Sequence, residues 1–182
     1  MTTTPEVLDL HAVPHPSAPV RQAGFPLDHP YLEHCWTPVI GPSSVLLLRR
    51  CPWLWREAAP ARIPTEDLAR QLGLGTGTGR SSPAWHTIER VVRFRFAAMA
   101  APGELRVYTE VPPVPSRQLD RLPSWCRQEH ERLLGQHLDG LARLSGATVT
   151  PASDPSSAHV RMAKHLDRLS TQAGVTGPSR SR

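Results

Sequence analysis

Near Arg93 the apolar spacing of the chain changes from a helical period to a strand period, and this switch constrains the fold more than any other feature. Upstream of it, Ala84, Ile88, Val91 and Val92 recur at intervals that line one face of an α-helix. Downstream, Phe94, Phe96 and Ala98 alternate with Arg95 and Ala97. After a turn at Ala101-Pro102-Gly103-Glu104, the residues Leu105, Val107, Thr109 and Val111 alternate with Arg106, Tyr108 and Glu110. Alternation is what a half-buried strand requires. A helix that feeds directly into a β-hairpin is therefore expected over residues 82–111.

The helix carries its own start signal, because Ser82 suits the N-cap and Pro83 the first helical position. A second helix is expected upstream, over Ile63-Pro64-Thr65-Glu66-Asp67-Leu68-Ala69-Arg70-Gln71-Leu72-Gly73-Leu74. Thr65 is its expected cap, and Glu66 and Asp67 favour the positive end of its dipole. Leu68, Ala69 and Leu72 form the apolar face, and Gly73 stops it. The connection Gly75-Thr76-Gly77-Thr78-Gly79-Arg80-Ser81 is longer than the three- or four-residue turn of a standard helix-turn-helix. Still earlier, Ser43 or Ser44 is expected to cap a helix through Arg50. Pro52 should interrupt it, with Trp53, Leu54 and Trp55 continuing as a second short piece. Helix, turn, helix, hairpin is the order of a winged helix-turn-helix, whose second helix lies in the major groove of duplex DNA.

Twenty prolines, about double the usual share, and an aromatic content of only 5% predict a compact middle with poorly ordered ends. The expected class is α+β, mainly helical. Residues 1–28, with Pro5, Pro14, Pro16, Pro19 and Pro26, read as a flexible arm. Residues 29–112 read as the winged helix-turn-helix domain. Residues 113–145 follow as a linker and C-terminal helices. Ser116 caps a short helix ending at Leu122, and Pro123-Ser124 open a longer one reaching about Ser145. Residues 146–182 read as a flexible basic tail with a weak helix around His159–Leu169. The long C-terminal helix either pairs with its copy in a homodimer or packs back on its own domain.

The net charge is +5, and it is unevenly placed. Residues 43–100 hold nine arginines against four acidic residues, whereas residues 101–150 are balanced. Lys164 is the lone lysine, so codon usage alone also accounts for the arginines. On the helix from Ser82 to Arg93, the residues His86, Glu89, Arg90 and Arg93 share the face opposite the apolar one. Arg90 and Arg93 suit guanine edges or phosphate, and His86 a base or phosphate. Arg80, Ser81 and Ser82, at the helix N-terminus, suit a phosphate. Arg95 and Arg106 on the hairpin suit a flanking minor groove. The competing reading is a solvated face with Glu89 and Arg93 simply paired at i, i+4.

Three cysteines make no disulfide framework and no C-x-x-C pair, which fits a reducing, cytoplasmic setting. The longest aliphatic run, Val45-Leu46-Leu47-Leu48, is far short of a membrane span, and no secretory signal is evident. His34-Cys35 and Cys126 with His130 do not reproduce a zinc spacing. Gly73-x-Gly75-x-Gly77-x-Gly79 lacks the Gly-Lys-Ser/Thr ending of a phosphate loop. With no G-x-S-x-G elbow and no discernible triad, neither enzyme activity nor a cofactor is expected. The expected function is sequence-preferring binding of double-stranded DNA in transcriptional regulation. The alternatives are a protein-interaction adaptor anchored by Trp36, Trp53, Trp55 and Trp125, and an accessory to a hydrolase or nuclease.

Residues 63–145 resemble winged-helix regulators of the uncharacterised or mobile-element-associated type common in actinobacteria. The resemblance is carried by Pro64 to Leu74, by Thr87-Ile88-Glu89-Arg90-Val91-Val92-Arg93-Phe94, and by Val111-Pro112-Pro113-Val114-Pro115-Ser116-Arg117-Gln118-Leu119 with Leu122-Pro123. It implies a winged-helix fold and DNA binding, and no particular effector, operator or process.

Overall fold

Leu8 and Leu10 alternate with Asp9 and His11, and this short period puts both leucines, fully buried, on the core side of a strand, β1 (Val7–Val13). The structure, a computed structural model, describes residues 4–144 together with Met162 and Lys164. After β1 come α1 (Ala18–Ala23) and the two-residue strand β2 (Phe25–Pro26). A π-helical turn (Leu32–Trp36) runs into α2 (Thr37–Ile40) and, past Gly41, α3 (Pro42–Glu57). Then follow β3 (Ala61–Pro64), α4 (Thr65–Gln71), α5 (Pro83–Arg93) and the hairpin strands β4 (Ala97–Ala101) and β5 (Glu104–Tyr108). The described chain closes with β6 (Glu110–Val111), α6 (Ser116–Leu119) and α7 (Ser124–Leu144). The fold is α+β, mainly helical, around a small mixed sheet.

The main sheet has the order β3-β1-β5-β4, with β1 antiparallel to β3 and parallel to β5. Leu8 lies opposite Ile63, and Leu10 lies between Ala61 and Leu105, so one face is apolar. Asp9, Arg62 and Arg106 lie on the other face. For residues 4–28 this overturns the flexible arm expected over residues 1–28. Pro5 and Pro14 bracket the strand without entering it, and proline is tolerated there. Further bonds tie the segment down. The Thr65 amide donates to the Glu6 carbonyl at 2.8 Å, and the Thr65 hydroxyl to the Pro5 carbonyl at 2.6 Å. At the hairpin turn Gly103 has φ +86°, and a Cβ there would stand 3.0 Å from the Val7 carbonyl oxygen. Glycine is required on both counts.

α3 is one continuous helix through Pro52, contrary to the expected interruption. Pro52 has no amide to give the Leu48 carbonyl, but Leu47, Leu48, Cys51 and Leu54 are all buried, and their packing holds the helix together. Neither Ser43 nor Ser44 caps it: the Ser43 hydroxyl accepts from Thr87 at 3.1 Å, and the helix starts from Gly41 at φ +82°. Ile63 and Pro64 belong to β3, so α4 starts later than expected, and Thr65 spends its hydroxyl on the N-terminal strand. Gly73 ends α4 at φ +69° as expected. α6 stops at Leu119, short of Leu122. The tail expected at 146–182 lies outside the described residues except for Met162 and Lys164, which are both helical, and Met162 is buried with the core.

α7 packs back on the π-helical turn of its own chain, burying Cys126, His130, Leu133, Leu134 and Leu138. Tyr31, fully buried and stacked on Phe25 at 3.9 Å between ring centroids, sits at the centre of that interface. Its hydroxyl accepts from the Val114 amide at 2.9 Å and, in the His130 tautomer that leaves Nδ1 unprotonated, donates its own proton to Nδ1 of His130. Burial raises the Tyr31 pKa well above 10, which keeps that proton in place. Replacing Tyr31 by Phe keeps the ring but strips both partners of the hydroxyl. We expect a loss of about 2–4 kcal/mol, read as a lower urea midpoint; an unchanged midpoint would refute the role given to this hydroxyl.

Two histidines make stability depend on acid. Burial lowers the pKa of His29 from 6.5, with a further push from His137, 5.8 Å away between ring centroids. Burial also lowers that of His15. With both folded values below 6.5, the unfolded chain takes up protons first as pH falls, so stability is lost below pH 6.5 until the folded values are passed. The melting temperature should fall between pH 7 and pH 5. His29→Asn, which keeps an acceptor for the Tyr31 amide now 3.1 Å from Nδ1 of His29, should flatten that slope.

Candidate nucleic-acid interface

α5 is built as its sequence requires. The Ser82 hydroxyl accepts the Trp85 amide at 3.2 Å, and Pro83 occupies the first turn. Ala84, Ile88 and Val91 are buried, whereas His86, Glu89, Arg90 and Arg93 are exposed. The polar face expected from spacing therefore exists.

Its members are not all free. Arg90 donates from Nη1 to the Ile40 carbonyl at 3.3 Å, across the place where a Cβ on Gly41 would stand, and so completes the end of α2. Ser82 is buried and committed to the cap. Glu89 accepts the Trp85 indole N–H at 2.9 Å and faces Nδ1 of His86 at 3.3 Å, so it does not pair with Arg93. The i, i+4 relation of Trp85 to Glu89 was the readable signal for this clamp.

The arginines expected on the hairpin part company. Arg106 stands opposite Ala98 and is paired with Glu104 at 2.9 Å. Arg95 lies before β4, in the corner that follows α5, and so does not face Arg106. That corner is a Schellman closure: the Phe96 amide donates to the Val91 carbonyl at 2.9 Å and the Arg95 amide to the Val92 carbonyl at 3.0 Å. Arg95 takes the left-handed position, φ +59°, which the equivalent closure of α4 gives to Gly73. A side chain there costs about 1 kcal/mol relative to glycine.

The exposed arginines divide by partner, and those without an acidic one are not confined to α5, since Arg56 at the end of α3 and Arg117 and Arg121 near α6 are also among them. Arg62 faces Asp9, Arg70 pairs with Glu66, and Arg106 pairs with Glu104. Among the described residues, Arg80 before α5 and Arg93 and Arg95 at its end have no acidic partner; Arg93 lies over the Phe94 ring at 5.9 Å. These cations bracket α5, with Ser81 exposed beside Arg80.

The two pairs weighed for metal from sequence converge at the π-helical turn and α7. His34 Nδ1 meets Glu129 at 3.0 Å, and the Cys126 thiol donates to the His34 carbonyl at 3.2 Å. Burial raises the pKa of Cys35 and Cys126, which disfavours the thiolates a metal would take. Arg132, and then His34, hold Glu129 down to about 2, so its charge is committed to them. Among the described residues no group of three or more His, Cys, Asp or Glu is placed to hold a metal ion, and no helix is long and apolar enough to cross a membrane. No family model matches this chain, and neither does any curated protein or solved structure.

Proposed function

We propose that the chain binds double-stranded DNA as a transcriptional regulator, through a winged helix-turn-helix formed by α3, β3, α4, α5 and the β4–β5 hairpin, with β1 as an added strand between β3 and β5. The observation that carries this reading is the set of arginines without acidic partners at both ends of α5 (Arg80, Arg93 and Arg95), one of them held in a backbone conformation that costs stability. Phosphate anchoring falls to these three with Ser81, and base reading to His86. Arg90 and Ser82 serve the fold, and Arg106 contributes less because Glu104 neutralises it. A second copy joined through the exposed Trp125 and Leu144 of α7 would present two such modules to two half-sites.

The test is fluorescence anisotropy of a labelled generic duplex at two salt concentrations. Three phosphate contacts predict a log–log salt slope of about −2.7, or roughly a 40-fold loss of affinity for a fourfold rise in salt. Binding absent at low salt would overturn the reading. Glu89→Gln removes the single acidic charge from the middle of the α5 face and should tighten binding about threefold to tenfold; a loss would place Glu89 on the binding side.

A second reading draws on α3, where Leu46 and Trp53, at i and i+7, are 39% and 48% exposed. Such an apolar pair suits a protein-interaction adaptor. A chain without duplex affinity, whose partner complex is insensitive to salt and lost in Trp53→Ala, would favour it.

A further inference from the structure

The loop before α5, the first turn of α5, the tip of the β4–β5 hairpin and the N-terminal Thr4-Pro5 surround a cavity of about 350 Å³. Its walls are Pro5, Trp85, Met99, Ala101 and Pro102, with Arg80 as the one charged group. We infer that this cavity binds a small planar aromatic anion, and that the ligand draws Arg80 away from duplex DNA.

The volume falls at the lower end of small-molecule sites, which are mostly apolar with a few fixed polar groups. Trp85 is preset for the role. Its indole N–H is tied to Glu89 at 2.9 Å and its amide to Ser82 at 3.2 Å, so its ring is already placed when a ligand arrives. Met99 supplies an adaptable wall. Arg80 has no acidic or hydrogen-bonding partner among the described residues, and a guanidinium both pairs with a carboxylate in two parallel bonds and stacks on aromatic planes. An apolar box with one unpaired cation is complementary to a flat apolar body carrying one negative charge. A sugar-phosphate strand would leave the Trp85, Met99 and Pro102 walls facing polar atoms.

Because the walls come from β1's leading residues, α5 and the hairpin, a ligand would clamp all three and take Arg80 as its counter-ion. This consequence for DNA rests on the reading proposed above; the binding of the anion does not.

The experiment is a calorimetric titration of the full chain with 2-naphthoate and with its neutral analogue 2-naphthamide. Naphthoate should bind saturably at one site, and the amide about tenfold or more weaker. Arg80→Gln should erase the difference, and Met99→Trp, which fills the box, should abolish both. Equal affinity for the two compounds in the unaltered chain overturns the inference whether or not the variants fold, as does naphthoate binding that survives both substitutions. In a second arm, naphthoate is added to the chain with labelled duplex. Weakened duplex binding supports the link to DNA, and unchanged binding overturns that link. A chain that never binds duplex but discriminates naphthoate from naphthamide refutes the DNA reading and upholds the cavity.

Discussion

Removing residues 1–13 should leave a chain with no cooperative thermal transition. Leu8 and Leu10 are fully buried, and truncating one such leucine to alanine costs about 2–5 kcal/mol. The deletion removes both, together with the ladders from β1 to β3 and to β5, and leaves two strand edges facing a gap. Domains of this size are stable by about 5–15 kcal/mol, so the loss is of the order of the whole. Circular dichroism on heating decides it. A flexible arm, as the proline count suggested, could be cut away with the melting temperature unchanged, and that outcome would refute the central position of β1.

The second large effect concerns DNA. The combined variant Arg80→Ala, Arg93→Ala, Arg95→Gly should lose about a hundredfold or more in duplex affinity at moderate salt and bring the salt slope close to zero. Arg95→Gly is the informative part, because glycine relieves the left-handed backbone at φ +59° and should raise stability by about 1 kcal/mol while the charge disappears. Lower affinity in a more stable protein cannot be put down to damage. Arg90→Ala provides the contrast. It should lower the melting temperature, since the Ile40 carbonyl loses its donor, and leave the salt slope as it was. A slope carried by Arg90 instead would return that residue to the binding face.

These contrasts show where the sequence was legible. The change of period near Arg93 announced α5 and a hairpin after it, because both are set by spacing within a few turns of chain. But it put Phe94, Phe96 and Ala98 on one strand face, whereas β4 starts at Ala97 and turns Ala97 and Met99 toward Val107 and Leu105 and Ala98 toward Arg106. The Ser82 cap and the Gly73 stop were equally local, and so were the buried Leu105 and Val107, whereas Val111, expected on the same strand, lies in β6 and pairs with Phe25 of β2 in a separate sheet. What escaped was decided by distant partners. β1 is an interior strand because β3 and β5 accept it, and neither lies near it in sequence. Pro52 sits inside α3 because the helix is held by a buried face, which outweighs one missing hydrogen bond. At the site, spacing put Arg90 beside Arg93, but the Ile40 carbonyl, 50 residues away in the chain, takes one of the two. Spacing likewise put Arg95 on the hairpin with Arg106, whereas the Schellman closure holds Arg95 back in the corner before β4.

The parallel pairing of β1 with β5 also sets an order of events during synthesis. Leu10 meets Leu105, a residue made 95 positions later. At typical translation speeds of about 5–20 residues per second, roughly 5–20 s pass before that partner exists. β1 leaves the ribosome before both of its partners and therefore waits with an open edge and two exposed leucines while β3, its antiparallel neighbour, is made. Until the hairpin arrives, the nascent chain is a natural client for a holding chaperone, and slow stretches of translation between β3 and β5 should lower the yield of folded protein.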